Sequence, residues 1–368
     1  MKASISAEHD TYLATRHFGS LDGLRFLCIS AVIWHHTPGA VEMADLSILF
    51  ARGHVGVDFF FVLSGFLITT LLLREEAAKG RFSLRGFYWR RALRILPAYY
   101  LVVGLAAFNA IVLNGRSEDI ALVPYYIFFL SNFLTEHIGL LDPTWSLSVE
   151  EQYYLIWPAL LLLLPRRWLP TLLLGLIALH LTVFLGLFDR IGITAIEAGP
   201  LRIGLGDATP AIFMGSLAAI ALNSRAGFGR IAPLLRSKAA PWVCFALLML
   251  ALAGFPGMLR GWPNMVVHGL MTAMLISLVV REDNGMAPLL KLRPIARIGQ
   301  ISYGIYLYHL FALGVMMIVF ARLGWHGSGL LLVSYSALSI LVAEISFRSY
   351  EAWFQRLRHK PMERVAAG

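Results

Sequence analysis

Charge is scarce in this sequence. Asp, Glu, Lys and Arg make up 14% of its 368 residues, against about 25% in a soluble domain. That deficit excludes an ordinary water-soluble enzyme. Cysteine is nearly missing: Cys28 and Cys244 both lie in apolar segments. Two packed thiols exclude a disulfide scaffold and a cysteine-ligated metal centre, and no metal is expected. No polar stretch is long enough for a separate soluble domain. There is no repeat with a period of about 20–50 residues and no low-complexity tract. Residues 1–20 carry no apolar h-region, so the first span, rather than a cleaved signal, is expected to target the chain.

What is abundant is hydrophobic surface, at 58% of residues with a mean hydropathy of +0.69. Apolar runs of spanning or near-spanning length begin near residues 23, 55, 95, 149, 168, 204, 240, 264, 299 and 328. The expected fold is all-α: a polytopic integral membrane protein of about ten transmembrane helices. The run "LVPYYIFFLSNFL" (122–134) is short for a crossing and reads as an extra re-entrant or interfacial helix. The net charge of +9 is explained by loops facing the cytoplasm, not by nucleic acid. With ten spans and the N-terminus inside, inner segments hold 24 of the 31 Lys and Arg and outer segments 6. Both termini are therefore expected to be cytoplasmic. The chain divides into a polar N-terminus (1–20), a single membrane domain (21–347) and a tail (348–368).

Several spans contain polar residues. Arg25 and His36 lie in the first, "LDGLRFLCISAVIWHHT". Eleven residues at 100° each end about 20° past three turns, so the two share a helix face about 16 Å apart. A snorkelling arginine and a packed interfacial histidine are the alternative readings. Asp58 opens the second span, "GHVGVDFFFVLSGFLITTLLL", at a depth expected to match His36. A carboxylate there would orient an imidazole as a general base, or would simply cap a helix start. In "DPTWSLSVEEQYYLIWP", Glu150 and Glu151 suit a helix N-terminus, and Glu150 is expected at the same outer depth. Glu150, Tyr153, Tyr154 and Trp157 share a face. The inner segment 74–94 is rich in arginine. Arg91 and Arg94, or Arg90 and Arg94, face one way, and arginine's planar fork suits phosphate. "ISYGIYLYHLF" spaces Tyr303, Tyr306 and His309 along another span. A cofactor with phosphates at one end of a long arm and a reactive group at the other would suit this pattern. Acyl-coenzyme A is such a molecule.

Five stretches make the sequence resemble the membrane-bound acyltransferase family 3, a group that includes bacterial O-antigen acetylases. They are "LDGLRFLCISAVIWHH", "GVDFFFVLSGFLIT", "FYWRRALRILPAYY", "TWSLSVEEQYYLIWP" and "ISYGIYLYH", in family order over residues 21–309. The resemblance implies transfer of an acyl group, often acetyl, from cytoplasmic acyl-CoA to a hydroxyl of an envelope saccharide or lipid-linked saccharide outside. It implies a bacterial inner membrane, no tightly bound cofactor and acyl-CoA as co-substrate. On this reading His36, with Asp58 or Glu150, is catalytic. Arg25, Arg90, Arg91 and Arg94 bind the donor, and Glu151, Tyr153, Tyr303, Tyr306 and His309 contact substrate. Direct proton abstraction and an acyl-histidine intermediate both fit. The rival from another class is a secondary transporter of a saccharide or carboxylated molecule, since intramembrane Asp, Glu, His and Arg also serve proton relays.

Overall fold

The computed structural model describes residues 2–39, 52–185, 187–188, 195–204, 209–255 and 261–357. Arg190, Arg260 and the tail beyond residue 357 lie outside them. The described residues are overwhelmingly helical. They begin with α1 (Lys2–Ala14), α2 (Gly19–His36), α3 (Val55–Lys79) and α4 (Leu84–Ala107). A short α5 (Val123–Ile127), α6 (Thr144–Leu163) and α7 (Leu169–Phe184) follow. Then come α8 (Pro210–Asn223), α9 (Arg225–Leu235), α10 (Ala240–Gly254) and α11 (Trp262–Val279). The last are α12 (Ala287–Leu290), α13 (Arg293–Gln300), α14 (Ser302–Leu323), α15 (Ser328–Ser346) and α16 (Ala352–Arg356). The departure from an all-helical chain is a hairpin, Ala195–Ala198 paired antiparallel with Leu201–Gly204, turning at Gly199 with φ of 59°.

Every one of the ten apolar runs carries a helix. The expectation of ten spans is nevertheless corrected: among the described residues, five helices are long and apolar enough to cross a membrane, or up to six. Length is one reason. The helices α8 and α10 have 14 and 15 residues, below the roughly 20 that a crossing needs. Polarity is the other, because α2 holds Asp22, Arg25, His35 and His36. The sixth candidate is α8 with α9, bent by 109°. The bend has a local cause: the Ser224 side chain accepts from the Gly227 backbone N–H at 3.0 Å and so starts a new helix. Residues 117–133 form 3-10 turns around the five-residue α5, none long enough to span.

Two contacts set the frame of the site. Helices α3 and α8 touch backbone to backbone. A Cβ at Gly65 would run into the Ile212 carbonyl oxygen, and one at Gly215 into the Val62 carbonyl oxygen, the small-residue packing that membrane helices use. Helix α13 presses equally hard on α2, where a Cβ at Gly299 would collide with the Asp22 carbonyl. The core is built from side chains such as Leu24, Ile29, Phe66, Trp157 and Tyr335, all below 3% exposed. Many large apolar side chains face outward, among them Leu155, Leu163 and Val333, the surface a lipid environment covers.

Gly215→Val should therefore overpack the α3–α8 contact, at a cost of about 1–3 kcal/mol. Thermal unfolding in detergent should show a midpoint lowered by several degrees. An unchanged midpoint would mean that the two helices do not meet there.

Candidate active site

A cavity of about 560 Å³ lies within the bundle. One wall is a stripe of α3: Val57, Phe60, Phe61, Ser64, Leu67, Ile68, Leu71 and Arg74. Spacings of three and four keep these on one helix face, and 17 residues of rise make the stripe about 26 Å long. The stripe therefore lines a channel, apolar along most of its length. The facing walls come from α2, α4, α6 and α14.

The polar lining is organised by ion pairs. Arg25 bonds Asp22 at 2.9 Å, one turn earlier on α2. Asp22 also accepts from the Gln300 amide at 3.1 Å, and the His17 ring lies 3.3 Å away. The close approach of Gly299 brings Gln300 into reach. Across the channel, Arg91 faces Glu151 at 3.5 Å, and its guanidinium lies over the Tyr154 ring at 3.5 Å. The Arg91 Nε is buried without a hydrogen-bond partner. Glu150 accepts from the Ser64 hydroxyl at 2.5 Å, with Arg91 and Arg25 as its nearby cations. Tyr303 donates to the Ile95 carbonyl at 3.0 Å, tying α14 to α4.

An aromatic relay leads out of this cavity to the end of α2. Tyr306, on the cavity wall, donates to the Pro143 carbonyl at 2.7 Å and has Ser146 Oγ 2.7 Å from its hydroxyl. The His309 ring is 5.7 Å from Tyr306 and 4.8 Å from His36. Both histidines are fixed in the same way. His36 Nδ1–H donates to the Val32 carbonyl at 2.9 Å, and His309 Nδ1–H to the Tyr306 carbonyl at 2.7 Å. Because a carbonyl can only accept, Nδ1 carries the hydrogen, and in the neutral ring Nε2 is the nitrogen with the free lone pair.

Of the residues picked out in the sequence, Arg25, Arg91, Arg94, Glu150, Glu151, Tyr303 and Tyr306 line one cavity, with His309 and His36 packed edge-on beyond Tyr306. Others are placed differently. Arg90 bonds Glu75 at 2.9 Å, outside the lining, because one residue turns the helix about 100° away from Arg91. Asp58 pairs with His268 of α11 at 3.5 Å rather than with His36. The group that orients His36 is the Val32 carbonyl. Glu150 does not share Asp58's level: its partner Ser64 lies six residues, about 9 Å, further along α3. Tyr153 turns away from the cavity, bonding Ser216 at 2.5 Å and stacking on Trp157, and so joins α6 to α8. Reading the sequence missed Arg16, His17, Asp22, Arg74 and Gln300, which all line the cavity. Asp22 had a legible signal, three residues before Arg25. Gln300 and the partner of Asp58 had none.

The model of a family described as an acyltransferase domain matches residues 18–347. The peptidoglycan O-acetyltransferase OatA of Listeria monocytogenes is 29% identical over 377 residues, covering 93% of this chain and 56% of that protein. The putative peptidoglycan O-acetyltransferase YrhL of Bacillus subtilis is 29% identical, covering 91% and 54%. The O-acetyltransferase OatA of Staphylococcus aureus is 25% identical, covering 91% and 57%. The chain thus spans about half the length of the curated relatives it matches. No solved structure matches it.

A double-mutant cycle checks the central ion pair. Arg91→Ala and Glu151→Ala should be non-additive in thermal stability, with a coupling of about 0.5–3 kcal/mol. Strict additivity would show that the two side chains do not interact.

Proposed function

The chain belongs to the acyltransferase-domain family, and we propose from this that it is a membrane O-acyltransferase whose donor is a cytoplasmic acyl-CoA, acetyl-CoA first, and whose acceptor is a hydroxyl of an envelope saccharide. The observation that carries the reading is the continuity of the site. One channel leads from Arg25, Arg91 and Arg94 to Tyr306, and the edge-on His309–His36 pair continues from there. The relatives' names point to peptidoglycan as the acceptor class.

In this mechanism the arginines hold the donor's phosphates through charge-assisted, forked hydrogen bonds. The apolar stripe of α3, from Leu71 towards Phe60, receives the donor's arm and excludes water. The thioester is presented towards His36, whose Nε2 takes the proton of the acceptor hydroxyl. The acceptor oxygen attacks the thioester carbonyl, and the C–S bond breaks. The proton passes from His36 to the departing thiolate, giving an ester and free CoA thiol. Holding the reactants in place supplies part of the rate, and the base supplies typically 10²–10⁴-fold. Asp58 then acts away from this proton transfer, through its pair with His268. The tight grouping of Arg25, Arg91, Glu150 and Glu151 also keeps the channel polar enough to admit a charged donor. Family membership weighs against the transporter reading. The proposal carries with it cytoplasmic termini and a bacterial inner membrane, the first resting on a loop charge count made over ten crossings.

His36→Ala should cut acetyl transfer, followed as release of CoA thiol, by at least about 10²-fold while leaving acetyl-CoA binding in place. Activity within a fewfold of wild type would remove His36 as the base. A reporter fused to the C-terminus should read as cytoplasmic; a reporter active only outside would contradict the topology.

A further inference from the structure

We infer that Arg16, in the segment between α1 and α2, is the contact for the ribose 3′-phosphate of the donor, held over the channel's mouth by Arg74 as a positioning residue. The inference rests on the reading that the donor is a CoA thioester.

The segment is held in place from both sides. On one side α1 is docked on the bundle. The His9 ring, 4% exposed, hydrogen-bonds the Leu222 carbonyl at 3.2 Å. Glu8 pairs with Arg236 at 3.0 Å and Asp10 with Arg225 at 3.5 Å. Tyr12 is buried against Phe18 and Phe228, with ring centroids 5.7 and 5.5 Å away. On the other side Arg74 clips the end of the helix. Its guanidinium donates to the carbonyls of Tyr12 at 3.0 Å and Thr15 at 2.5 Å, and lies 5.0 Å from the Phe18 ring. Arg16 and His17 are thereby carried to the cavity wall that Arg74 also lines.

The charge balance then selects the ligand. Five arginines line the channel, Arg16, Arg25, Arg74, Arg91 and Arg94, against the carboxylates of Asp22, Glu150 and Glu151. Asp22 is engaged by Arg25, and Glu151 by Arg91. Among the described residues no carboxylate lies within ion-pair distance of Arg16 or Arg74. The excess positive charge therefore collects at the Arg74 end of the α3 stripe, the end farthest from Val57. CoA carries two separate anionic groups, a diphosphate nearer its arm and a phosphomonoester on the ribose. Arg91 and Arg94 suit the first. The second, farthest from the thioester, falls to the residue at the mouth, where a guanidinium meets a dianionic phosphate in a forked geometry.

The test is a binding titration of the 368-residue chain in detergent with CoA and with 3′-dephospho-CoA. Wild type should bind CoA at least tenfold more tightly. Arg16→Ala should abolish that preference while leaving dephospho-CoA affinity unchanged, and Arg16→Lys should restore part of it. Arg74→Ala should also abolish the preference, with thermal unfolding reporting whether that variant is folded. If wild type binds CoA without preferring it, or if Arg16→Ala keeps the wild-type ratio, this inference falls and the donor reading stands. If wild type binds neither ligand, the CoA reading fails and the inference fails with it.

Discussion

An arginine among apolar helices must find a counter-charge, and the pairing of Arg25 with Asp22 is the constraint on which the site is built. Even on the lenient insertion scale a central arginine costs about 2.5–3.5 kcal/mol, and a buried charge stripped of its partner costs more than the pair returns. The solution here is shared between elements. Asp22 and Arg25 come from α2, while Gln300 reaches Asp22 because Gly299 lets α13 lie against the helix backbone. Arg91 from α4 meets Glu151 from α6 in the same way, with Tyr154 beneath its guanidinium. Side chains that must be paired and hydrogen-bonded cannot fill space as leucines do. The helices that carry them therefore stand around a void, and the void is the channel.

The other end of the channel is ruled by geometry more than by charge. His36 and His309 each donate Nδ1–H to a carbonyl of their own helix. This fixes the ring plane and, in the neutral ring, leaves Nε2 as the acceptor. In the proposed mechanism the Val32 carbonyl would give the base its direction. The two rings pack edge-on at 4.8 Å, and Tyr306, 5.7 Å from His309, is held by its contact with Ser146.

Much of this could be read before any fold was known, because it depends on spacing within one helix. Arg25 and His36 mark one face of α2, and Arg91 with Arg94 mark one face of α4. The ten apolar runs are all helices. What could not be read depends on which helices meet. Asp58 is answered by His268, more than two hundred residues away in the chain. Arg90 and Arg91 were interchangeable by pattern until Glu75 and Glu151 took one each. Arg16 and Arg74 look like loop charges that set topology; Arg74 stands on the α3 stripe, and only the docking of α1 brings Arg16 to the channel. The number of full crossings also exceeded what helix length allows, since hydropathy marks where a run begins more reliably than how far its helix extends.

The central claim is that a CoA thioester occupies the channel along α3. A single cysteine at Leu67, in a chain whose Cys28 and Cys244 are replaced by alanine, places a reactive thiol midway along that wall. The measurement is its rate of alkylation in detergent with and without acetyl-CoA. Strong slowing by acetyl-CoA, absent with free acetate, is the expected result. An alkylation rate indifferent to saturating acetyl-CoA would contradict the account.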